Sequence, residues 1–183
     1  MFYITPNFCA ISEASIAIDV SKLECVGSIG SEGAGAGQFQ GVTGVAADES
    51  HVFVSDYKKH SISVFNRSDG AHVLSFGSKG SGNTHFKQPL GVALDGKHVY
   101  VTDTGNHRVQ VLTKAGVHVR SIGGAAGEEG RLNSPMGVAV DDRHVVVSSW
   151  DGHYVSLFEK ASGRFVFRFG TEGDGEGQFM YPH

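Results

Sequence analysis

The stretch Pro89-Leu-Gly-Val-Ala-Leu-Asp95, followed by His98-Val-Tyr-Val-Thr-Asp103, decides the fold of this 183-residue chain. Its centre, Gly91-Val-Ala, recurs as Gly44-Val-Ala and as Gly137-Val-Ala, at spacings of 47 and 46 residues. An apolar anchor stands five residues before each of these glycines, and a fourth anchor follows near the end of the chain: Phe39, Phe86, Leu132 and Phe179. A fixed period of this length is the signature of a modular repeat array.

Each unit carries four short runs in which apolar and polar residues alternate. In the clearest unit these runs are residues 91–95, 98–103, 108–112 and 117–122, and tight turns separate them. Alternation with period two and many β-branched residues predicts four antiparallel strands in a meander. One such sheet cannot bury both faces, so successive sheets are expected to pack around an axis as an all-β β-propeller. The small residues of the first strand suit the crowded region beside that axis.

The period also sets the expected unit boundaries within a single domain of residues 1–183. Three blades are predicted at residues 31–77, 78–123 and 124–170. Residues 1–30 fit a degraded partial blade, and residues 171–183 fit the start of a further unit. The array therefore holds about four blades, and it is expected to be cut beside an innermost strand at both ends.

The repeated elements resemble the NHL-repeat family of β-propellers. The resemblance rests on Gly37-Gln-Phe39 and Gly177-Gln-Phe179, on the stretch quoted above, and above all on Asn106-His-Arg-Val-Gln-Val111. It covers residues 30–183 well. Propellers of this family usually close with six blades, which would need roughly 280 residues at this period. We therefore expect an incomplete ring, either a fragment or a smaller or oligomeric ring that associates through its open blade edges.

Composition sets limits on the classes of function. The net charge of −4 argues against a broad surface for nucleic acid, although a local basic patch stays open. No run of roughly 18 apolar residues predicts a membrane span, and residues 1–23 lack a signal-peptide pattern, so a cytoplasmic location is the default expectation. Cys9 and Cys25 lie outside the well-formed repeats and are expected to be free thiols.

Ten histidines raise the hypothesis of a metal site. Six of them recur at equivalent places, at the start of the second strand or at the end of the following turn: His51, His98, His144, His60, His107 and His153. Recurrence in each unit favours a structural role in turns, and equivalent residues of different blades should diverge from the axis. The sequence therefore predicts no metal site, no cofactor and no catalytic residue, because no nucleophile or carboxylate pair stands out either.

Asp103 and Arg108 flank the turn of the second blade. The resemblance implies that they form a clip across the turn, whereas the alternative makes Arg108 an anchor for an acidic or phosphate ligand. The equivalent pairs elsewhere are Asp56 with Ser61 and Ser149 with Tyr154, which cannot form the same clip. Those two turns are therefore expected to be held less tightly.

Residues that break the repeat are the better candidates for binding. Trp150, the only tryptophan, stands in the turn after the second strand, either as a binding hot spot or as cover for a neighbouring blade. These turns and the linkers between blades form one face of a propeller. The predicted partner-binding residues on this face are Tyr57, Lys58, Lys59, Asn106, Arg108, Trp150 and His153.

The resemblance implies a non-catalytic module that binds a protein or peptide of unknown identity with this turn-lined face. Two alternatives stay open. One is a metal-dependent propeller enzyme, similar to the zinc lyase that releases amidated peptides or to calcium-dependent lactonases. The other is an RNA-binding NHL propeller, against which the acidic balance argues.

Overall fold

The structure is a computed structural model that describes residues 27–123 and 129–183. The expected degraded blade at residues 1–30 therefore falls almost wholly outside the described residues, as do Cys9 and Cys25. Residues 124–128, at the start of the expected third blade, lie outside them too.

The described residues form three complete four-stranded antiparallel sheets, as the alternating pattern predicts. Sheet I contains β3 (Val42–Ala47), β4 (His51–Asp56), β5 (Ser61–Asn66) and β6 (His72–Phe76). Sheet II contains β7 (Pro89–Leu94), β8 (His98–Asp103), β9 (Arg108–Thr113) and β10 (His118–Ile122). Sheet III contains β11 (Pro135–Val140), β12 (His144–Ser149), β13 (Tyr154–Glu159) and β14 (Phe165–Phe169). A parallel pair, β1 (Ser31–Glu32) with β2 (Gln38–Phe39), precedes sheet I, and a 3₁₀ turn, Thr104–Asn106, follows β8.

The sheets pack face to face, and their first strands lie innermost. The inner strand β7 contacts both β3 and β11. One core cluster fills the space between sheets I and II around Phe53, Ile62 and Phe86. A second cluster fills the space between sheets II and III around Tyr100, Leu132 and Phe158. Phe86 and Leu132, two of the predicted anchors, are fully buried between sheets.

The glycine of each inner strand is required by its neighbour. A Cβ atom at Gly44 would lie 2.2 Å from the carbonyl oxygen of Leu90, and one at Gly91 would lie 2.4 Å from that of Met136. At Gly137 the nearest atom is the carbonyl carbon of His183, at 2.9 Å. The prediction that small residues stand where the sheets crowd together is therefore confirmed.

Buried hydroxyl groups form hydrogen bonds that connect the inner strands of adjacent sheets. The Ser55 hydroxyl accepts from the N–H of Gly44 (2.7 Å) and donates to the carbonyl of Leu90 in sheet II (2.5 Å). Thr102 repeats the arrangement, accepting from the N–H of Gly91 and donating to the carbonyl of Met136 in sheet III. These hydroxyls satisfy backbone groups at the bulge of each inner strand, where the register shifts and ladder bonds are missing.

Ion pairs link the outer turns of adjacent sheets. Lys114 Nζ lies 2.7 Å from Asp48 Oδ2, and Lys160 Nζ lies 3.5 Å from Asp95 Oδ2. Burial alone would raise the pKa of Asp48, but hydrogen bonds from Lys114 and from the backbone of Ser50 lower it to about 2. The carboxylate is therefore held in its charged form at neutral pH.

Within the described residues the three sheets do not close into a ring. The open face of sheet III exposes Phe167 and Phe169, which are 49% and 45% accessible. None of the described residues belongs to a helix with the length and hydropathy of a membrane span.

Candidate binding face

The turns that join the second and third strands lie at one end of the sheets, beside the linkers that lead into the inner strands. Backbone hydrogen bonds join each turn to its linker: Tyr57 N–H to Gly41 (2.9 Å), Gly105 N–H to Lys87 (2.8 Å) and Trp150 N–H to Ser134 (3.0 Å). We call this end of the molecule the turn face. All seven sequence-predicted binding residues lie on it.

A buried carboxylate organises the turn of sheet II. Asp103 is fully buried and accepts hydrogen bonds from the backbone N–H of Lys87 (2.7 Å) and from Arg108 Nε (2.8 Å). Asn106 Nδ2 and Gln110 Nε2 donate to the same carboxylate, at 2.9 and 3.0 Å. Four N–H donor groups therefore compensate a charge that burial would otherwise make costly.

Asn106 and Arg108 are both engaged with their own chain. Arg108 Nη2 donates to the linker carbonyls of Gly82 (2.7 Å) and His85 (3.2 Å), and Asn106 Nδ2 donates to that of Gly80 (2.9 Å). The clip implied by the resemblance is therefore present. Arg108 Nε and Nη2 and Asn106 Nδ2 are therefore engaged in holding the turn and its linker.

Sheets I and III lack the Asp103–Arg108 clip, as the sequence predicts, and hold their linkers with other donors. Lys59 Nζ donates to the carbonyls of Gly35 and Gln38, both at 3.0 Å, which match the two that Arg108 binds in sheet II. In sheet III the Tyr154 hydroxyl donates to the carbonyl of Arg131 (2.8 Å), just before the anchor Leu132. In sheet I the donor Lys59 stands at the repeat position of Asn106, and in sheet III the donor Tyr154 stands at the position of Arg108 but is a different residue type.

The three turn histidines join each sheet to the next unit. Each accepts at Nδ1 from a backbone N–H three residues before the position of the next repeated glycine or its equivalent: His60 from Gln88 (3.0 Å), His107 from Ser134 (3.0 Å) and His153 from Tyr181 (3.3 Å). Both partners of every pair have a positive φ, between 50° and 57°. Burial lowers the pKa of His60, and the charge of Lys79 lowers it further, which keeps the imidazole neutral and able to accept.

The second-strand histidines face aspartates of their own turns. Their Nδ1 atoms lie 3.4 to 3.8 Å from the carboxylates of Asp95, Asp141 and Asp48, each three residues earlier. Among the residues that the structure describes, no three His, Cys, Asp or Glu side chains converge in a way that could hold a metal ion.

Trp150 lies in an aromatic cluster at the turn of sheet III. Its half-buried ring packs against Tyr181 (centroids 5.0 Å apart) and against the edge of His183 (4.4 Å). The ring of His153 also packs against Tyr181, with centroids 4.8 Å apart. Tyr181 was not among the predicted binding residues. Its signal was available, since Gln88 and Ser134 occupy the equivalent positions in the other units.

Tyr57 and Lys58 occupy the corresponding turn of sheet I. The Tyr57 ring is half-buried and lies against Gly41, where an added Cβ would come within 2.4 Å of it. Lys58 is exposed, with its Nζ 5.8 Å from the centre of the Tyr57 ring. The turn of sheet II lies between this pair and the Trp150 cluster, so the predicted residues form two groups on one face.

The clip geometry of sheet II falls in the segment that matches a family model. Residues 86–112 match the NHL repeat. The match lies within one repeat unit of the chain. No curated protein sequence matches the chain.

Three solved structures show what the fold of this chain resembles. U3-55K superimposes with a TM-score of 0.59 at 18% identity, over 70% of this chain and 38% of that one. Virginiamycin B lyase from Staphylococcus aureus gives 0.56 at 12% identity, over 75% and 43%. The computationally designed Ika4 protein gives 0.56 at 16% identity, over 82% and 84%. The chain thus spans less than half of the first two proteins. At these identities the likeness establishes a β-propeller fold and nothing about activity.

Proposed function

We propose that the chain is a non-catalytic interaction module that binds a protein or peptide segment on its turn face. The proposal rests on a difference between the polar and the aromatic side chains of this face. The charged and amide side chains of this face are engaged in holding the turns and linkers: Asp103, Asn106, Arg108 and Lys59. The aromatic rings of Trp150 and Tyr181, by contrast, present open surface.

Aromatic side chains suit such a role because they bury a large area and lose little conformational freedom on binding. Tyr181 is 44% accessible, and the neighbouring Met180 is 59% accessible. Lys58, exposed on the turn of sheet I, adds a cation at the far side of the face. A peptide with apolar side chains and an acidic residue would match this arrangement.

The test is selection of a displayed random peptide library against the purified chain, followed by affinity measurements on the selected peptides. Tyr181→Ala and the double change Tyr57→Ala with Lys58→Ala should each weaken binding about tenfold, a loss near 1.4 kcal/mol. Arg143→Ala is the matched control, since this exposed residue lies at the opposite end of sheet III. Selected peptides that bind all these variants equally, or a library that yields no binder, would contradict the proposal.

A further inference from the structure

A cleft of about 450 Å³ opens between sheets II and III at the end opposite the turn face. Its walls come from the β7–β8 turn, the β13–β14 turn and the outer strand β10. Its volume falls in the range of sites that hold small molecules. None of the seven predicted binding residues lines it.

Two residues in this cleft break the repeat. Strand register defines one row of side chains across each sheet, and the three rows are Phe53-Val64-Leu74, Tyr100-Val111-Arg120 and Val146-Leu157-Phe167. The rows of sheets I and III are wholly apolar. In sheet II a hydroxyl and a guanidinium replace two apolar groups, and both Tyr100 and Arg120 line the cleft.

The Tyr100 hydroxyl has a partner inside the cleft. It donates to Asp95 Oδ2 (2.8 Å), whose carboxylate also accepts from the backbone N–H groups of Lys97 and His98, both at 2.7 Å. Burial alone would raise the pKa of Asp95, but these bonds hold it well below its usual range. With Lys160 Nζ 3.5 Å away, the charge of Asp95 is already balanced.

The positive charge of Arg120, by contrast, has no counter-ion in the part of the chain that the structure describes. Its Nη2 donates to the backbone carbonyl of Lys160, and its stem packs beside Gly163. Its Nε is buried without a hydrogen-bond partner, and among the described residues no carboxylate lies within ion-pair distance of the guanidinium. A half-buried cation without a counter-ion is costly, since the charge is partly desolvated and nothing compensates it.

We propose that this cleft, which we call the interblade cleft, binds a small carboxylate through Arg120, with Lys97 at its mouth. The planar guanidinium matches a carboxylate, and binding would neutralise the unpaired charge. Asp95 and Asp142 also line the cleft, and their charges would repel a dianion such as phosphate. The ligand therefore carries one carboxylate as its only negatively charged group. A hydroxyl or ammonium group beside its carboxylate would face Asp142, as in a hydroxy acid or an amino acid.

The experiment titrates the isotope-labelled chain with acetate, lactate and glycine and follows the backbone amide signals of Gly96 and Ala161 by NMR, with phosphate and chloride as comparison anions. Saturable shifts of these two signals by the carboxylates are expected, with lactate or glycine binding more tightly than acetate. Arg120→Leu should weaken this binding at least about tenfold. The variant should fold, because Leu74 fills the equivalent position of sheet I.

Arg143→Leu serves as the control for loss of a positive charge on the same side of the molecule and should bind carboxylates normally. Arg120→Lys keeps the charge but loses the planar fork, so intermediate affinity is expected. Three results would overturn the proposal: no saturable shift with any carboxylate, equal affinity in a folded Arg120→Leu variant, or tighter binding of phosphate. Far-UV circular dichroism of each variant establishes that it is folded. If only the peptide selection fails, the interblade cleft still stands, since its test does not use the turn face.

Discussion

The inner-strand glycines give the sharpest test of how the sheets are held together. Gly91→Ala would place a Cβ 2.4 Å from the carbonyl oxygen of Met136 and 3.3 Å from the N of Val138. Both neighbours are backbone atoms of sheet III, so relief requires two packed sheets to separate by somewhat under 1 Å, since 3.0 Å is about the closest approach that real Cβ atoms make.

Separating packed sheets by this amount is costly. Over-packing of this kind costs about 1–3 kcal/mol and occasionally more. Replacing glycine by alanine returns about 0.4–1 kcal/mol by restricting the unfolded chain. We therefore expect Gly91→Ala to lower the free energy of unfolding by about 2 kcal/mol.

Gly96→Ala, five residues away, is the matched control. Nothing lies within 4 Å of its added Cβ, and its φ is not in the left-handed region. Its effect should stay within about 0.5 kcal/mol. Gly137→Ala should fall between the two, because its Cβ would meet His183, the last residue of the chain, at 2.9 Å.

The measurement is urea unfolding of the three variants and the parent chain, followed by far-UV circular dichroism and by the fluorescence of Trp150. Agreement of the two probes establishes that one transition is being measured, since repeat arrays can unfold unit by unit. A Gly91→Ala chain whose stability matches that of Gly96→Ala would refute the reasoning, because the close approach of β7 and β11 would then be of no consequence.

Three further outcomes follow from the contacts described. Lys59→Met should lower the free energy of unfolding by about 1 kcal/mol, because the carbonyls of Gly35 and Gln38 lose their donor. Lys58→Met should leave the free energy of unfolding unchanged, and urea unfolding of the two variants measures the difference. The folded-state pKa of His60 is lowered from 6.5, so the unfolded chain takes up the proton first and the free energy of unfolding should fall as pH drops below that value. His60→Asn keeps an acceptor for Gln88 and should flatten this pH dependence. An unchanged slope would contradict the assignment of the pH dependence to His60. The folded-state pKa of Asp48 is lowered from 3.8 to about 2, so Asp48 stabilises the fold above pH 3.8 and this stabilisation is lost as pH falls toward 2. In Lys114→Met the loss of stability over this pH range should be smaller, which unfolding measured at several pH values tests.

Much of the fold was predictable because its signals are local. Alternating runs such as residues 98–103 and 144–149 became strands with the same bounds, since period two and β-branched composition act within a few residues. The turn at Thr104–Asn106 was likewise marked by its own residues. Because the pattern recurs in three units, each local prediction applied to all three sheets.

The candidate site was predictable only in part. The sequence placed Trp150 and Tyr57 on the right turns but left open what each one touches. It also named Lys59 beside Lys58 as a partner-binding residue, although Lys59 reaches linker carbonyls 21 and 24 residues away. No local pattern distinguishes two adjacent lysines when a distant carbonyl decides between them.

The sequence by itself therefore determined the repeating four-stranded unit, the order of its strands and the small inner residues, because these depend on interactions within about one period. Only the tertiary structure decided which polar side chains are engaged and which are open. The histidine bonds span 27 or 28 residues, and Arg120 lies beside a turn 40 residues further along the chain. Such pairs meet because one sheet packs on the next. The unpaired guanidinium of the interblade cleft is visible only once that packing is known.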